Sequence, residues 1–459
     1  MNHADTVATA TAATEAATAT APDCSHRRVL ALAVPIVLAN LTQPLLGAVD
    51  TAVAGHLDQA SYLGGVALGG LFFNFVFWGF GFLRMGTTGL AAQAFGANDT
   101  ASLRLTLWRA LLLAFLLGAA VLLVQAPLLQ AALALLGGSA AVQQHALAYC
   151  HARIWAAPFA LANYVILGWL LGTQRVRLAL ALQILINLGN IGAVLLYVYG
   201  LGWGVAGIGA ATASADTLGF LAGAALLWHL RPRSLPPLSR AALLQREALQ
   251  RLISLNRDIF IRTLCLLAAF GWFAHLGAKQ GDITLAANAL LLNFQTFMAY
   301  GLDGFAHAAE ALVGAAIGAR APHALRQALR VTLLWSALGA AGFALIYWSA
   351  GAWFIAQLTD QSAVRAAAQA FLPWAVALPM VSVWGFLLDG VFIGATRTRA
   401  LMQAMALSFG LFIAASWMLT TPYGNHGLWA ALLLFMAARG ITLAWCLPSL
   451  MRFSHSRLA

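Results

Sequence analysis

Charge is what this chain has least of. Only 8% of its 459 residues are Asp, Glu, Lys or Arg, against 62% hydrophobic. A water-facing globular surface needs about a quarter of its residues charged. A soluble fold is therefore excluded, and an all-α, multi-pass membrane protein is expected. Cysteine is scarce as well: Cys24, Cys150, Cys265 and Cys446 lie far apart, which rules out a disulfide framework or a cysteine metal site. The histidines (His56, His145, His151, His229, His275, His307 and His426) form no ligand pairs at helical spacing, so no metal is expected beyond a transported Na+. No Gly-x-Ser-x-Gly, His-Glu-x-x-His or Gly-x-Gly-x-x-Gly element sits in a supporting context, and there is no nucleotide-binding loop. Those absences argue against an intramembrane enzyme and against direct ATP drive. The Ala/Thr-rich start lacks a basic segment followed by an apolar one, so it is no secretory signal; residues 1–28 read as a disordered tail. The formal net charge is +11, yet no contiguous basic face is present and no nucleic-acid partner is expected.

What is present is a succession of apolar runs, each near the roughly 20 residues that a helix needs to cross a bilayer. Twelve crossings are predicted, near 29–55, 61–95, 104–130, 141–172, 177–200, 203–230, 253–278, 284–318, 323–349, 363–395, 399–421 and 426–451. Arginines gather in alternate connections: Arg27 and Arg28, Arg104, Arg175 and Arg177, Arg231 to Arg251, Arg320 and Arg326, Arg397 and Arg399, Arg452 and Arg457. The excess of basic residues on cytoplasmic loops places that side, and both termini, in the cytoplasm. The stretch 231–251, with Pro232, Pro236 and Pro237, reads as a linker between an N-lobe (29–230) and a C-lobe (252–452), with a C-terminal tail at 453–459. The halves repeat at one offset: Phe72/Phe294, Gly79/Gly301, Gly96/Gly318, Arg104/Arg326, Gly168/Gly390 and Arg175/Arg397 (294 − 72 = 397 − 175 = 222). Six crossings per half make the repeat parallel, about an axis along the membrane normal, with a cleft between lobes.

In the first run, Asn40, Gln43, Gly47 and Asp50 follow spacings of three, four and three and share a helix face. Pro44 is expected to bend the helix just before the acid. A carboxylate in the middle of a membrane helix costs roughly 2.5–3.5 kcal/mol on insertion scales, a cost tolerated where the group faces a polar cavity and acts there. Arg84 is expected to snorkel to the interface, and Trp78, Trp155, Trp169, Trp203, Trp272, Trp384 and Trp429 to serve mostly as interfacial anchors.

The segment Pro44-x5-Asp50-x4-Gly55-His56-Leu57 resembles the first helix of multidrug and toxic compound extrusion (MATE) transporters. Asn256-Arg257-Asp258-Ile-Phe-Ile-Arg262, Tyr300-Gly-Leu-Asp303-Gly304-Phe-Ala-His-Ala-Ala-Glu310 and Leu388-Asp389-Gly390-Val-Phe-Ile-Gly394 resemble its DinF branch. The resemblance runs from about residue 29 to the C-terminus. It implies a V-shaped pair of bundles in a bacterial inner membrane, exporting organic compounds against inward H+ or Na+ flow. It also implies small-molecule drugs or toxic metabolites as substrates, lipids as neighbours, a monomer, and no cofactor besides the coupling ion. By the same resemblance Asp50 is the coupling acid, with Gln43, Asn187, Asn190 and Thr212 as polar partners and Asp216 one turn beyond. Many relatives carry a second carboxylate four residues after the Asn of the fifth span; here that place holds Val194.

A second group of candidates lies in the C-lobe: Asp303 and Glu310, seven apart and on one face, with Asp389, Arg262, Asn288 and Gln295. Asp258 precedes Arg262 by one turn, and an ion pair inside the bundle is expected for that arginine. Sodium-coupled relatives use a C-lobe acid that Asp389 resembles, but a single N-lobe acid with neutral partners favours a proton. A lipid-linked sugar flippase is the alternative within the superfamily; the acids of the cleft would repel its anionic substrate.

Overall fold

The computed structural model describes residues 22–57, 59–231 and 239–456, and no strand occurs among them. In hydrocarbon every backbone polar group must be satisfied within its own segment, which helices achieve without help. α1 (His26–Gly55) begins behind Ser25, whose hydroxyl accepts from the Arg28 amide at 3.3 Å. The next traverse is α2 (Ala60–Gly79) with α3 (Phe82–Gly96), followed by α4 (Thr100–Leu123) with α5 (Gln125–Leu136). α6 (Ala140–Ile154) and α7 (Ala157–Gly172) are bent by 57° where Pro158 enters the first turn of α7. α8 (Val176–Val194) runs into a π-turn, Leu195–Gly200, and α9 (Gly204–Leu230) closes the first half.

After the short α10 (Arg240–Leu243) come α11 (Arg246–Ala278), α12 (Asp282–Gly318), α13 (Pro322–Leu358), α14 (Ser362–Gly394) and α15 (Thr398–Ser456). Gly424 breaks α15 with φ 55°, a left-handed backbone that glycine adopts without a steric cost. Eight helices among the described residues are long and apolar enough to span a bilayer, or nine with the bent pair taken as one. With α15 divided at Gly424, the layout fits the expected two bundles.

Three boundaries differ from the sequence reading. Residues 26–28 are helical, capped by Ser25, where a tail was expected to reach 28. The linker is shorter than 231–251, because α10 and α11 start at Arg240 and Arg246; Glu247 lies in the first turn of α11, where a carboxylate complements the helix dipole. Helix α15 continues to Ser456, through residues read as a C-terminal tail. Residues 1–21, 232–238 and 457–459, which carry most of the expected N-terminal tail and part of the linker and C-terminal tail, lie outside the described residues.

The repeat is visible in the backbone. The non-glycine residues with positive φ among those described are Asn98, Gln174, Arg320 and Thr396, and they pair at the sequence offset (320 − 98 = 396 − 174 = 222). Their turn bonds match too: Asp99 N donates to Ala94 O at 3.0 Å and Ala321 N to Ala316 O at 2.9 Å.

The two halves meet on the arginine-rich side. Gly304 packs on Ala33 and Val37, and Asn40 Nδ2 donates to Tyr300 O at 3.2 Å. Gln93 Nε2 donates to Gly394 O at 3.0 Å and to Thr396 Oγ1 at 3.2 Å. Gly96 lies against Ala315, and Gly318 against Gln93, backbone to backbone. One apolar core fills the N-lobe and continues into this half of the C-lobe, whereas a second is confined to the other half of the C-lobe. Two turns beyond Asn40 on the same stripe, Gly47 is exposed with nothing within 4 Å of where its Cβ would stand. The contacts named between the lobes thus gather at one end of α1, and Gly47 lies beyond them.

Candidate functional site

Asp50 sits on α1 about one turn beyond Gly47. It is 9% exposed, and its Oδ1 is buried without a hydrogen-bond partner. Packed against α1, α8 and α9 contribute a ladder of neutral groups. Asn190 Nδ2 donates to Thr212 Oγ1 at 3.0 Å, and Asn190 Oδ1 is left without a partner. Asn187 Nδ2 donates to Thr42 Oγ1 at 2.8 Å, and Asn187 Oδ1 accepts from Gln183 Nε2 at 3.1 Å. Asn163 on α7 donates to the backbone carbonyl of Asp216 at 2.8 Å. Asn187, Asn190 and Thr212 are thus assembled on the face that α1 covers, but they bond to Thr42 and to each other. Gln43 and Pro44 lie within the continuous helix α1, and their side chains fall outside the described residues.

One cation belongs to this cluster. Arg153, near the end of α6, donates from Nη1 to Tyr149 Oη at 2.6 Å, and its guanidinium lies 4.4 Å from the centre of the Phe73 ring. It interacts electrostatically with both Asp50 and Asp216. The sequence reading passed over it, although an arginine inside a predicted span is costly enough to have marked it.

In the C-lobe the candidates separate into three groups. Asp389 Oδ2 accepts from two guanidiniums, Arg262 of α11 and Arg439 of α15, the latter at 2.7 Å. Arg439 is 1% exposed and was not singled out from the sequence. Asp258, one turn from Arg262, pairs instead with Arg257 at 2.8 Å and accepts from Thr398 Oγ1 at 3.2 Å. Asn288 makes reciprocal amide bonds of 2.8 Å with Asn425 and accepts from Trp429 Nε1 at 2.9 Å. Gln295 is buried with Oε1 unpartnered.

The third group lies where the lobes touch. Both Glu310 oxygens are buried without hydrogen bonds, with His307 Nδ1 3.6 Å from Oε2. Asp303 and Glu310 lie within electrostatic range of Arg84 from the opposite lobe. Arg84 does not snorkel as expected, since its Nη1 is buried without a partner. Three tryptophans also depart from the anchor role. Trp429 is fully buried, Trp169 donates to Leu103 O at 3.3 Å, and Trp272 donates to Ser416 Oγ at 3.0 Å. Trp78, Trp155, Trp203 and Trp384 are exposed.

Comparison with known proteins gives consistent results. The chain matches the MatE family profile over residues 35–198 and 259–418. It is 44% identical over 417 residues to DNA damage-inducible protein F of Escherichia coli (strain K12), covering 90% of each chain. It is 26% identical to a probable multidrug resistance protein NorM of Geobacillus kaustophilus (strain HTA426), covering 95% of this chain and 97% of that one. Its fold resembles the MATE transporter VcmN of Vibrio cholerae in the bent form, with a TM-score of 0.83 at 18% identity over 94% and 97% of the two chains. It also resembles the outward-facing conformation of a multidrug resistance MATE family transporter, with a TM-score of 0.81 at 18% identity over 93% and 96%.

Proposed function

Because the chain belongs to the MatE family, whose members are transporters and not enzymes, we propose that it is a secondary multidrug exporter that expels organic compounds in exchange for inward protons. The observation that carries this reading is Asp50: a buried carboxylate with an unbonded oxygen, beside the opening between lobes. A group whose hydrogen bonds are incomplete can take a proton without first losing partners, and neutralising it removes a desolvation cost of several kcal/mol. The substrate class rests on relatives described as multidrug resistance proteins.

A proton is favoured over Na+ by the state of Asp389. Two guanidiniums occupy one of its oxygens, so the charge that would attract a metal ion in the C-lobe is already neutralised. Arginines in the connecting turns support a cytoplasmic assignment for the joined end of the lobes, with the cleft opening to the outside of a bacterial inner membrane. The chain acts as a monomer surrounded by lipid.

The test is dye efflux from proteoliposomes, with ethidium as substrate and pH and Na+ gradients imposed separately. A pH gradient alone is expected to drive export and a Na+ gradient alone to leave it at background. Asp50→Asn should lower gradient-driven export at least tenfold. Export by Asp50→Asn at the wild-type rate would remove Asp50 from the mechanism.

A further inference from the structure

A cavity of about 490 Å³ lies on the arginine-rich side, where the start of α1 meets the start of α13. His26 lines it from the N-lobe, and His323, Arg326, Gln327, Arg330 and Leu334 line it from the C-lobe. No carboxylate is among the lining residues. On α13 the spacings from His323 to Arg326, Arg330 and Leu334 are three, four and four, so donors and leucine share one helix face. The two lobes are tied at this point by a side-chain bond: Trp335 Nε1 donates to His26 Nδ1 at 3.2 Å, with the rings edge to face. An indole N–H only donates, so Nδ1 of His26 is an acceptor and its ring proton sits on Nε2, the donor that remains.

The depth of the cavity follows from where charge stops. Beyond Arg330, α13 carries no Asp, Glu, Lys or Arg to its end at Leu358, and beyond Arg28 the next such residue of α1 is Asp50. Each apolar stretch is long enough to cross the roughly 30 Å hydrocarbon core, so His26 and Arg330 both mark the level at which it begins. From there an apolar, outward-facing surface runs on along both helices: Leu334, Leu338 and Leu345 on α13, and Val34, Leu38 and Leu41 on α1, are all exposed. The surroundings therefore offer cationic donors at headgroup level and apolar surface directly beneath.

We propose that this cavity binds the phosphate of an anionic phospholipid, whose acyl chains lie along the exposed leucines of α13 and α1. Guanidinium forks match phosphate oxygens in geometry and charge, and a net negative headgroup complements a lining that holds two arginines and no acid. A soluble phosphate would use the same donors but would leave the apolar surface below them unused. Because His26 belongs to one lobe and both arginines to the other, the lipid would span the seam between lobes. The inference is independent of which ion drives export.

The test is native mass spectrometry of the purified full chain in detergent, titrated with dioleoylphosphatidylglycerol or dioleoylphosphatidylcholine. The first phosphatidylglycerol should be retained with an apparent Kd at least tenfold lower than phosphatidylcholine. Arg330→Gln should reduce that preference to threefold or less. Arg27→Gln, which removes a neighbouring exposed cation that does not line the cavity, should leave it unchanged. If Arg330→Gln does not fold, His26→Leu takes its place and should weaken phosphatidylglycerol retention at least threefold. A hundredfold excess of glycerol 3-phosphate over the lipid should displace none of it. Equal retention of the two lipids, or the same loss in Arg27→Gln as in the cavity variant, would overturn the proposal in favour of a general basic surface. Displacement by glycerol 3-phosphate would overturn it in favour of a soluble phosphate site.

Discussion

Asp389 carries two guanidiniums on a single buried oxygen, and the consequence for stability has a definite sign. Removing one partner of a buried ion pair typically costs about 3–5 kcal/mol, because the other charge is left uncompensated. Asp389→Asn strands both Arg262 and Arg439, whereas Arg439→Met leaves the Arg262–Asp389 pair intact. Thermal unfolding in detergent should therefore show a larger loss of Tm for Asp389→Asn than for Arg439→Met; the reverse order would mean that the arginines are balanced elsewhere. At this scale the sequence was half legible. Asp50, Asn190 and Asp389 stand out because polar groups in apolar runs are expensive. That Asn190 bonds Thr212 and not the acid, or that Arg262 turns to Asp389 and not to Asp258, depends on which helices face each other. Spacing along one helix cannot supply that.

Between elements, closure of the joined end depends on glycines. A Cβ on Gly318 would stand 2.8 Å from the Gln93 carbonyl carbon, and one on Gly96 2.6 Å from Ala315 Cα. Backbone cannot move aside as a flexible side chain can, so α3 and α12 approach this closely only without side chains at the contact. Gly318→Val is expected to push the two helices apart. Spin labels near Gln93 and Ala321 should then report a longer mean distance than in the wild type, and an unchanged distance would show that the contact is not close-packed in solution. Both glycines were visible in the sequence as a pair 222 residues apart, but as one repeat signal among several. Their mutual crossing is a tertiary fact.

For the whole molecule, the asymmetry between the joined and parted ends is the property an exporter needs, since a site open to both sides would leak. On the stripe Ala33, Val37, Asn40 and Gly47 of α1, the first three touch the C-lobe, while nothing lies within 4 Å of where a Cβ on Gly47 would stand. In a variant whose four native cysteines are replaced, Gly47→Cys should react with a membrane-impermeant maleimide added outside. Reaction only from the cytoplasmic side would invert the proposed orientation, and no reaction from either side would contradict an open cleft.

The sequence alone determined that the protein is helical, crosses the membrane many times, consists of two related halves and carries a carboxylate near the start. These follow from composition, apolar run length and the 222-residue repeat, each of which a linear string records. Tertiary structure alone decided that Arg153 is caged by Tyr149 and Phe73, that Asp389 is neutralised by two arginines and that Asn40 reaches the C-lobe. Those are meetings between helices distant in the chain, set by packing and by the low dielectric in which each buried charge must find a partner.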